Sequence, residues 1–310
     1  MSCQWSSLAA ELGTPRSRTS FIPPGLSCRR SARVVRCSAP SPPRQQGARQ
    51  KEGTTNLLLA LVVALVTAEP PACTDAMKIA VIGATGGVGA HVARLAVEQG
   101  HNVIALARDP SKVNAKAHEK KSVDLANIDV KSLASAIKGA DLVLSCIGNR
   151  RGQDPIVANG TEKIMAAMST AGVKRMALIS SIGVGDSSTQ LYRLGFGGWI
   201  FSAIFATILR STKKDLNAAE AVAIGAPAGM LWGAATPHAR PSGVSVVVVR
   251  PAGLSDAPGQ GQYDVALSDG TVGASVARED VARFMLTLAT ETKYDNGAVS
   301  VGGNAPRTGH

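Results

Sequence analysis

Nothing in this chain constrains its fold as much as a β-branched run that breaks into glycines. Lys78-Ile79-Ala80-Val81-Ile82 reads as a strand, Gly83-Ala84-Thr85-Gly86-Gly87-Val88-Gly89 as a loop, and Ala90-His91-Val92-Ala93-Arg94-Leu95-Ala96 as the helix that follows. In such a turn the first glycine permits a tight bend, the second admits a pyrophosphate close to the backbone, and the third packs helix on strand. Amide hydrogens and the helix N-terminus then face an anion, and a dinucleotide is the expected ligand. The spacing is Gly-x-x-Gly-x-x-Gly rather than Gly-x-Gly-x-x-Gly, and glycines alone would mark only a turn. The strand before, the helix after and the βαβ spacing beyond make the loop, Gly87 included, a candidate cofactor cradle.

A chain of 310 residues, 45% apolar, suits one Rossmann-type domain behind an N-terminal extension. Its formal charge of +11 is unevenly placed: residues 1–55 hold nine Lys and Arg against Glu11 and Glu52, so most of the basic excess belongs to the leader. The remainder suits a phosphate-bearing cofactor. With no basic cluster interleaved with aromatics, it calls for no nucleic acid. Cys3, Cys28, Cys37, Cys73 and Cys146 form no Cys-x-x-Cys pair, and the five histidines are too scattered to imply a metal site.

Residues 1–37 are rich in Ser and Arg, poor in acids, and run through Val34-Val35-Arg36-Cys37 into Ser38-Ala39. That is transit-peptide composition, of plastid type by its Val-Arg-Cys-Ser-Ala run, and a chloroplast address in stroma or thylakoid is expected. A tail that targets nothing is the alternative. Residues 38–76 are a polar spacer followed by Leu57 to Thr67, nearly pure Leu, Ala and Val. That stretch is shorter than the roughly 17 residues a membrane span needs, but lies inside the roughly 7 to 15 of a signal h-region. A short packed helix, or an extension upstream of an older start at Met77, are the other readings.

From Met77 onward, apolar runs alternate with helical segments, which implies a parallel, doubly wound α/β sheet in a single domain over residues 77–310. His101 to Arg108 is the second strand, and its end tests the ribose: an acid there serves NAD, an arginine NADP. Arg108 therefore points to NADP(H). The competing Asp109 precedes Pro110 and reads as a helix cap. Ser122 to Leu125 is a short third strand, Asp141 to Gly148 a fourth, and Arg175 to Ser181 a fifth that ends in two hydroxyls. Gly148 and the Asn149-Arg150-Arg151-Gly152 turn lie at a strand's carboxyl end, where ligands sit in open α/β sheets. Gly148 is accordingly a cofactor candidate, and the two arginines either meet phosphate or an acidic substrate, or form a solvated turn. Ser181 is the candidate catalytic hydroxyl, while Ser180 serves function or turn alike. Val222 to Pro241, rich in Ala, Gly and Pro, reads as a loop insertion ahead of a sixth strand at Ser245 to Val249. Asp280 to Leu288 is a late helix and Ala298 to Val301 a last edge strand.

Several of these residues together carry a resemblance. The Gly-Ala-Thr-Gly-Gly-Val-Gly loop, Ala107-Arg108-Asp109-Pro110, Asp124, Ser180-Ser181, Val248-Val249-Arg250-Pro251 and Arg278-Glu279-Asp280-Val281-Ala282 resemble the NAD(P)H-binding (NmrA-like) atypical short-chain dehydrogenases over Met77 to Gly303. Within that group, Gly261 to Leu267, Phe284-Met285-Leu286 and Tyr294-Asp295 are similar to the flavin reductase/biliverdin-IXβ reductase family. The resemblance implies Gly83, Thr85, Gly86, Val88 and Gly89 around the pyrophosphate, and Arg108 on the 2′-phosphate. It also implies Asp124 and Leu125 near the adenine and Ser181 near the nicotinamide.

Two departures accompany it. Tyr192 is followed by Arg193-Leu194-Gly195-Phe196, so no Tyr-x-x-x-Lys acid is present, and Gly253 stands where the flavin reductase carries a histidine. Such a site argues against ordinary ketone reduction and suits a flavin, quinone or other conjugated small-molecule acceptor whose second proton comes from water. An NADPH-dependent oxidoreductase is the expectation, and an NADP(H)-binding scaffold or assembly factor without turnover the alternative. The strongly apolar stretch Tyr192 to Leu209 roofs the acceptor pocket, touches a thylakoid membrane or protein, or simply packs.

Overall fold

The central strands form where β-branched and other apolar residues are buried on both faces. In the computed structural model, which describes residues 34–36, 75–149, 154–193, 195–207, 209–225, 243–267 and 270–303, Lys78–Ile82 is such a strand. Ile79 and Val81 enter one apolar layer, and Ala80 and Ile82 the other. The period of two is the pleat of a sheet covered on both sides.

The elements in chain order are β1 (Val34–Arg36), β2 (Lys78–Ile82), α1 (Gly87–Glu98), β3 (Asn102–Ala107), β4 (Glu119–Ser122), α2 (Val130–Ile137), β5 (Leu142–Ser145), α3 (Val157–Ala171) and β6 (Arg175–Ile179). They continue with α4 (Ser188–Arg193), α5 (Gly195–Ala206), α6 (Arg210–Glu220), a π turn at Ala221–Gly225, β7 (Ser245–Pro251) and β8 (Gly253–Ser255). Last come β9 (Asp264–Ala266), β10 (Ser275–Ala277), α7 (Arg278–Thr287) and β11 (Gly297–Gly302).

Nine strands share one sheet in the order β1-β9-β11-β7-β6-β5-β2-β3-β4, and β8 pairs with β10 beside it. From β4 to β11 all pairings are parallel, and β9 and β1 add an antiparallel margin. The parallel part of the sheet starts at β2, runs outward through β3 and β4, then returns to build β5, β6 and β7 on the other side. This reversal leaves a crevice at the carboxyl ends of β2 and β5, the switch point of a doubly wound sheet. Helices α1 and α7 cover one face, with Val92, Leu95, Val281, Phe284 and Met285 buried between them and the sheet. On the other face α2, α3 and α6 bury Leu133, Ile137, Ile164, Met168 and Leu216. The architecture is the expected doubly wound α/β one.

Four local expectations change. The third strand is Glu119–Ser122 rather than Ser122 to Leu125: it alternates half-buried and exposed residues at the sheet margin, where charged side chains discourage edge pairing. Residues 297–302 do not form an edge, because β9 pairs antiparallel outside them. Within 222–241, Val222 and Ala223 are buried against β7 and α3, so the stretch opens as core rather than loop. Residues 226–242 lie outside the described residues. Finally, Val34–Arg36 pairs with β9 although it falls in the segment read as a transit peptide, the rest of which is likewise outside the described residues.

Candidate functional site

The glycine loop leaves β2 at the switch point. Gly83 turns with φ of 82°, and its amide and that of Ala84 both donate to the Leu106 carbonyl of β3, at 2.9 and 3.2 Å. A Cβ at Gly83 would stand 2.8 Å from the Cys146 carbonyl, and one at Gly89 would run into the Gly83 carbonyl. These two glycines thus make the bend and the close helix–strand contact. Gly86 caps α1 without a side chain, no acid stands in the first turn, and exposed Gly87 opens the helix. The amide hydrogens there form a cradle that a Cβ would narrow. Thr85 is half-buried beside them, and Val88 turns its side chain into the core, so it can reach an anion only through its backbone.

Other candidates distribute along the same edge. Arg108 is exposed at the end of β3, and its carbonyl accepts from Ser122 Oγ at 3.1 Å. Asp109 accepts from the Ser111 amide at 3.1 Å and from its hydroxyl at 2.5 Å; these bonds, with Lys112, hold its carboxyl below the usual range. It caps the Pro110–Lys112 turn, as the Asp-Pro pair implies. Asp124 closes its own turn, accepting from Asn127 Nδ2 at 2.7 Å, and Leu125 is buried against Gly160. Gly148 is exposed with open space around it. The pair Arg150-Arg151 lies outside the described residues.

The two hydroxyls after β6 differ sharply. Ser180 is buried and donates to Glu220 Oε1 at 2.5 Å. Ser181 is half-buried and donates only to the neighbouring Ile182 carbonyl at 3.2 Å, so its hydroxyl can be recruited. Ser180 is held by a group that sequence reasoning missed. Arg250 on β7 donates to both oxygens of Glu220, at 3.0 and 2.6 Å, and to Asp186 at 2.5 Å. Burial works to lower the Arg250 pKa, yet the bonds and charges of Glu220 and Asp186 hold it above the ordinary arginine value. Only the Val-Val-Arg-Pro motif signalled this triad, because its acids lie 30 and 64 residues away in sequence.

Gly253 is confined as well. Its amide donates to the Ala274 carbonyl at 2.9 Å, and a Cβ would lie 2.9 Å from that oxygen. The β8–β10 pairing leaves no room for a histidine there. Beside the Ser181 edge, Gln190 of α4 donates to the Leu267 and Gly270 carbonyls and accepts from Ser300, fixing the start of the apolar stretch. Further along, Tyr192 and Trp199 are 63% and 60% exposed. Among the described residues no helix is long and apolar enough to cross a membrane.

The model of the NAD(P)H-binding family matches residues 83–292. An isoflavone reductase homologue from Zea mays is 34% identical over 111 residues, which are 33% of this chain and 34% of that protein. The chloroplastic divinyl chlorophyllide a 8-vinyl-reductase of Arabidopsis thaliana is 30% identical over 123 residues, 34% of this chain and 30% of its own. The chain therefore spans about a third of each of these relatives. It spans 12% of an uncharacterised Mycobacterium tuberculosis protein that is 32% identical over 105 residues, 34% of this chain. Among solved structures, the anaerobilin reductase ChuY of Escherichia coli O157:H7 superposes with a TM-score of 0.55 at 20% identity, covering 75% of this chain and 100% of that one. A Streptococcus pneumoniae protein provisionally named an NADH-flavin reductase gives 0.56 at 18% identity, covering 74% and 100%.

Proposed function

The chain belongs to the NAD(P)H-binding family, and from that premise we propose that it is an NADPH-dependent oxidoreductase acting on a flavin, quinone or similar conjugated acceptor. The observation that carries this reading is the pairing of an uncapped α1 N-terminus with a recruitable Ser181 hydroxyl on the same sheet edge. The loop backbone from Gly83 to Gly89 would hold the pyrophosphate, with Thr85 beside it. Arg108, exposed just after β3, would hold a 2′-phosphate, which favours NADPH over NADH. Asp124, Leu125 and Gly148 would border the adenine and ribose. The bound nicotinamide would supply hydride.

The chain's own residues define which acceptor suits such a site. Ser181 can donate one hydrogen bond to an acceptor oxygen or to the carboxamide, and so orient it. Arg250 holds Glu220, and Glu220 holds Ser180, so the turn bearing Ser181 is tied to β7 and α6. No Tyr/Lys acid is present and Gly253 has no room for a histidine. An acceptor that takes its proton from solvent meets these terms. Tyr192 of α4 and Trp199 of α5 are exposed aromatic side chains of a kind that can stack on a conjugated ring system. The names of two structural neighbours, an anaerobilin reductase and an NADH-flavin reductase, lend this class support.

Plastid location belongs to the same proposal, supported by the leader's composition and by the chloroplastic Arabidopsis relative. The test is oxidation of NADPH by the full chain with a panel of flavin, quinone and tetrapyrrole acceptors. Turnover with one of them supports the reading. Tight binding of NADPH without turnover favours a second reading, an NADP(H)-binding scaffold, for which the closed space at Gly253 is the specific observation.

A further inference from the structure

The amino end of α7 carries a charge in an unfavourable place. Arg278 is its first residue, where the positive end of the helix dipole opposes a cation. The acids that suit that position, Glu279 and Asp280, are bonded to the loop before β9: Asp280 accepts from the Gln260 and Gly261 amides at 3.1 and 2.8 Å, and Glu279 from Gly259 at 3.2 Å. Arg278 instead reaches across to the phosphate loop. A Cβ at Gly87 would stand 2.6 Å from its Cδ and 2.7 Å from its Nε. Its Nη1 pairs with Asp256, a carboxylate that is 88% exposed. The Arg278 side chain thus lies beside exposed Gly87 at the α1 N-terminus, its charge tethered by a solvated acid.

We propose that Arg278 is a second cationic ligand for the dinucleotide pyrophosphate, closing over Gly87 as it gives up Asp256. This inference rests on the dinucleotide reading of the loop. The pyrophosphate offers two charges where Asp256 offers one, and an exposed ion pair is worth little, so exchange favours the ligand. A side chain at Gly87 would push the Arg278 stem aside. Asp256 acts as a competitor: its carboxylate holds Arg278 near the loop but opposes an incoming anion. The 2′-phosphate end of the cofactor is unaffected, because Arg108 stands apart, just after β3.

The test measures dissociation constants by calorimetry for NADPH, NADH and 2′-AMP, which lacks the pyrophosphate, on the full chain and on R278Q, R278K and D256N, together with their melting temperatures. R278Q is expected to weaken NADPH and NADH alike by roughly ten- to a hundredfold, the worth of a charge-assisted contact, with 2′-AMP and the melting temperature unchanged. R278K should retain part of the affinity. D256N should tighten NADPH by up to about fivefold, the upper range for an exposed ion pair. Wild-type affinity in R278Q, an equal loss for 2′-AMP, or weaker NADPH binding in D256N would each overturn the proposal and leave the dinucleotide reading standing. A wild-type chain that binds no NADPH would overturn both.

Discussion

Two helices start at neighbouring strands of the same sheet edge, and their N-termini have opposite fates. Both α1, after β2, and α3, after β5, begin without a side-chain cap from their own first residues, Gly86 and Ile156. Asp215 of α6 fills the gap at α3, accepting from the Val157 and Ala158 amides at 2.8 and 3.0 Å and from Asn149 Nδ2 at 2.8 Å. Nothing comparable among the described residues reaches the α1 amides. The dipole and the orphan donors are the same at both ends. One end is satisfied by the fold, and the other is left for an anion that the fold does not supply.

Giving α1 the acid that α3 already has is the strongest way to break this contrast. G87D should weaken NADPH by roughly a hundredfold or more, since the new carboxylate competes for the amides, repels the pyrophosphate and pushes Arg278 aside. The melting temperature should hold or rise, and calorimetry with thermal unfolding checks both. Removing the second charge on the edge sharpens the same picture: Arg108→Ala should cost about 1.5 to 3 kcal/mol of NADPH binding, and far less of NADH binding. Equal losses for the two cofactors would show that Arg108 does not meet a 2′-phosphate.

The reverse experiment strips α3. Asp215→Ala leaves two amide donors and Asn149 without their partner, and should lower unfolding free energy by about 1 to 3 kcal/mol in denaturant titrations. NADPH affinity should stay within about twofold, as the two helix ends serve different purposes. Ser181→Ala is expected to have the smallest effect: a loss of turnover of about 0.5 to 1.5 kcal/mol, or two- to tenfold, with NADPH affinity nearly unchanged. Complete loss of turnover would assign Ser181 to a proton-transfer system that the geometry does not contain.

The contrast also explains what could be read from the chain and what could not. Strands such as Leu142–Ser145 and Ser245–Pro251 announce themselves because both faces are buried, and the Gly83 loop because its turn and close approach need glycine at fixed spacing. The strand Glu119–Ser122 carries no apolar signal, since a sheet margin is stabilised by backbone pairing and protected by charge. Three-residue β9 is too short to show a pattern, and missing it made β11 look like an edge. At the site, the serine pair was visible in the sequence, but Ser180 and Ser181 are told apart only by Glu220, 40 residues beyond Ser180. Asp215 at α3 and Arg278 over Gly87 are likewise tertiary placements between distant segments, and no local periodicity encodes them.

The most direct measurement of the central claim is a calorimetric titration of the full chain with NADPH, set beside the same titration of G87D. An open α1 N-terminus that serves as the anion site gives saturable binding at one site per chain in the wild type, and loses it in G87D without loss of fold. A wild-type protein that is folded and takes up no NADPH, or a G87D protein that binds it equally well, would contradict the assignment of this helix end.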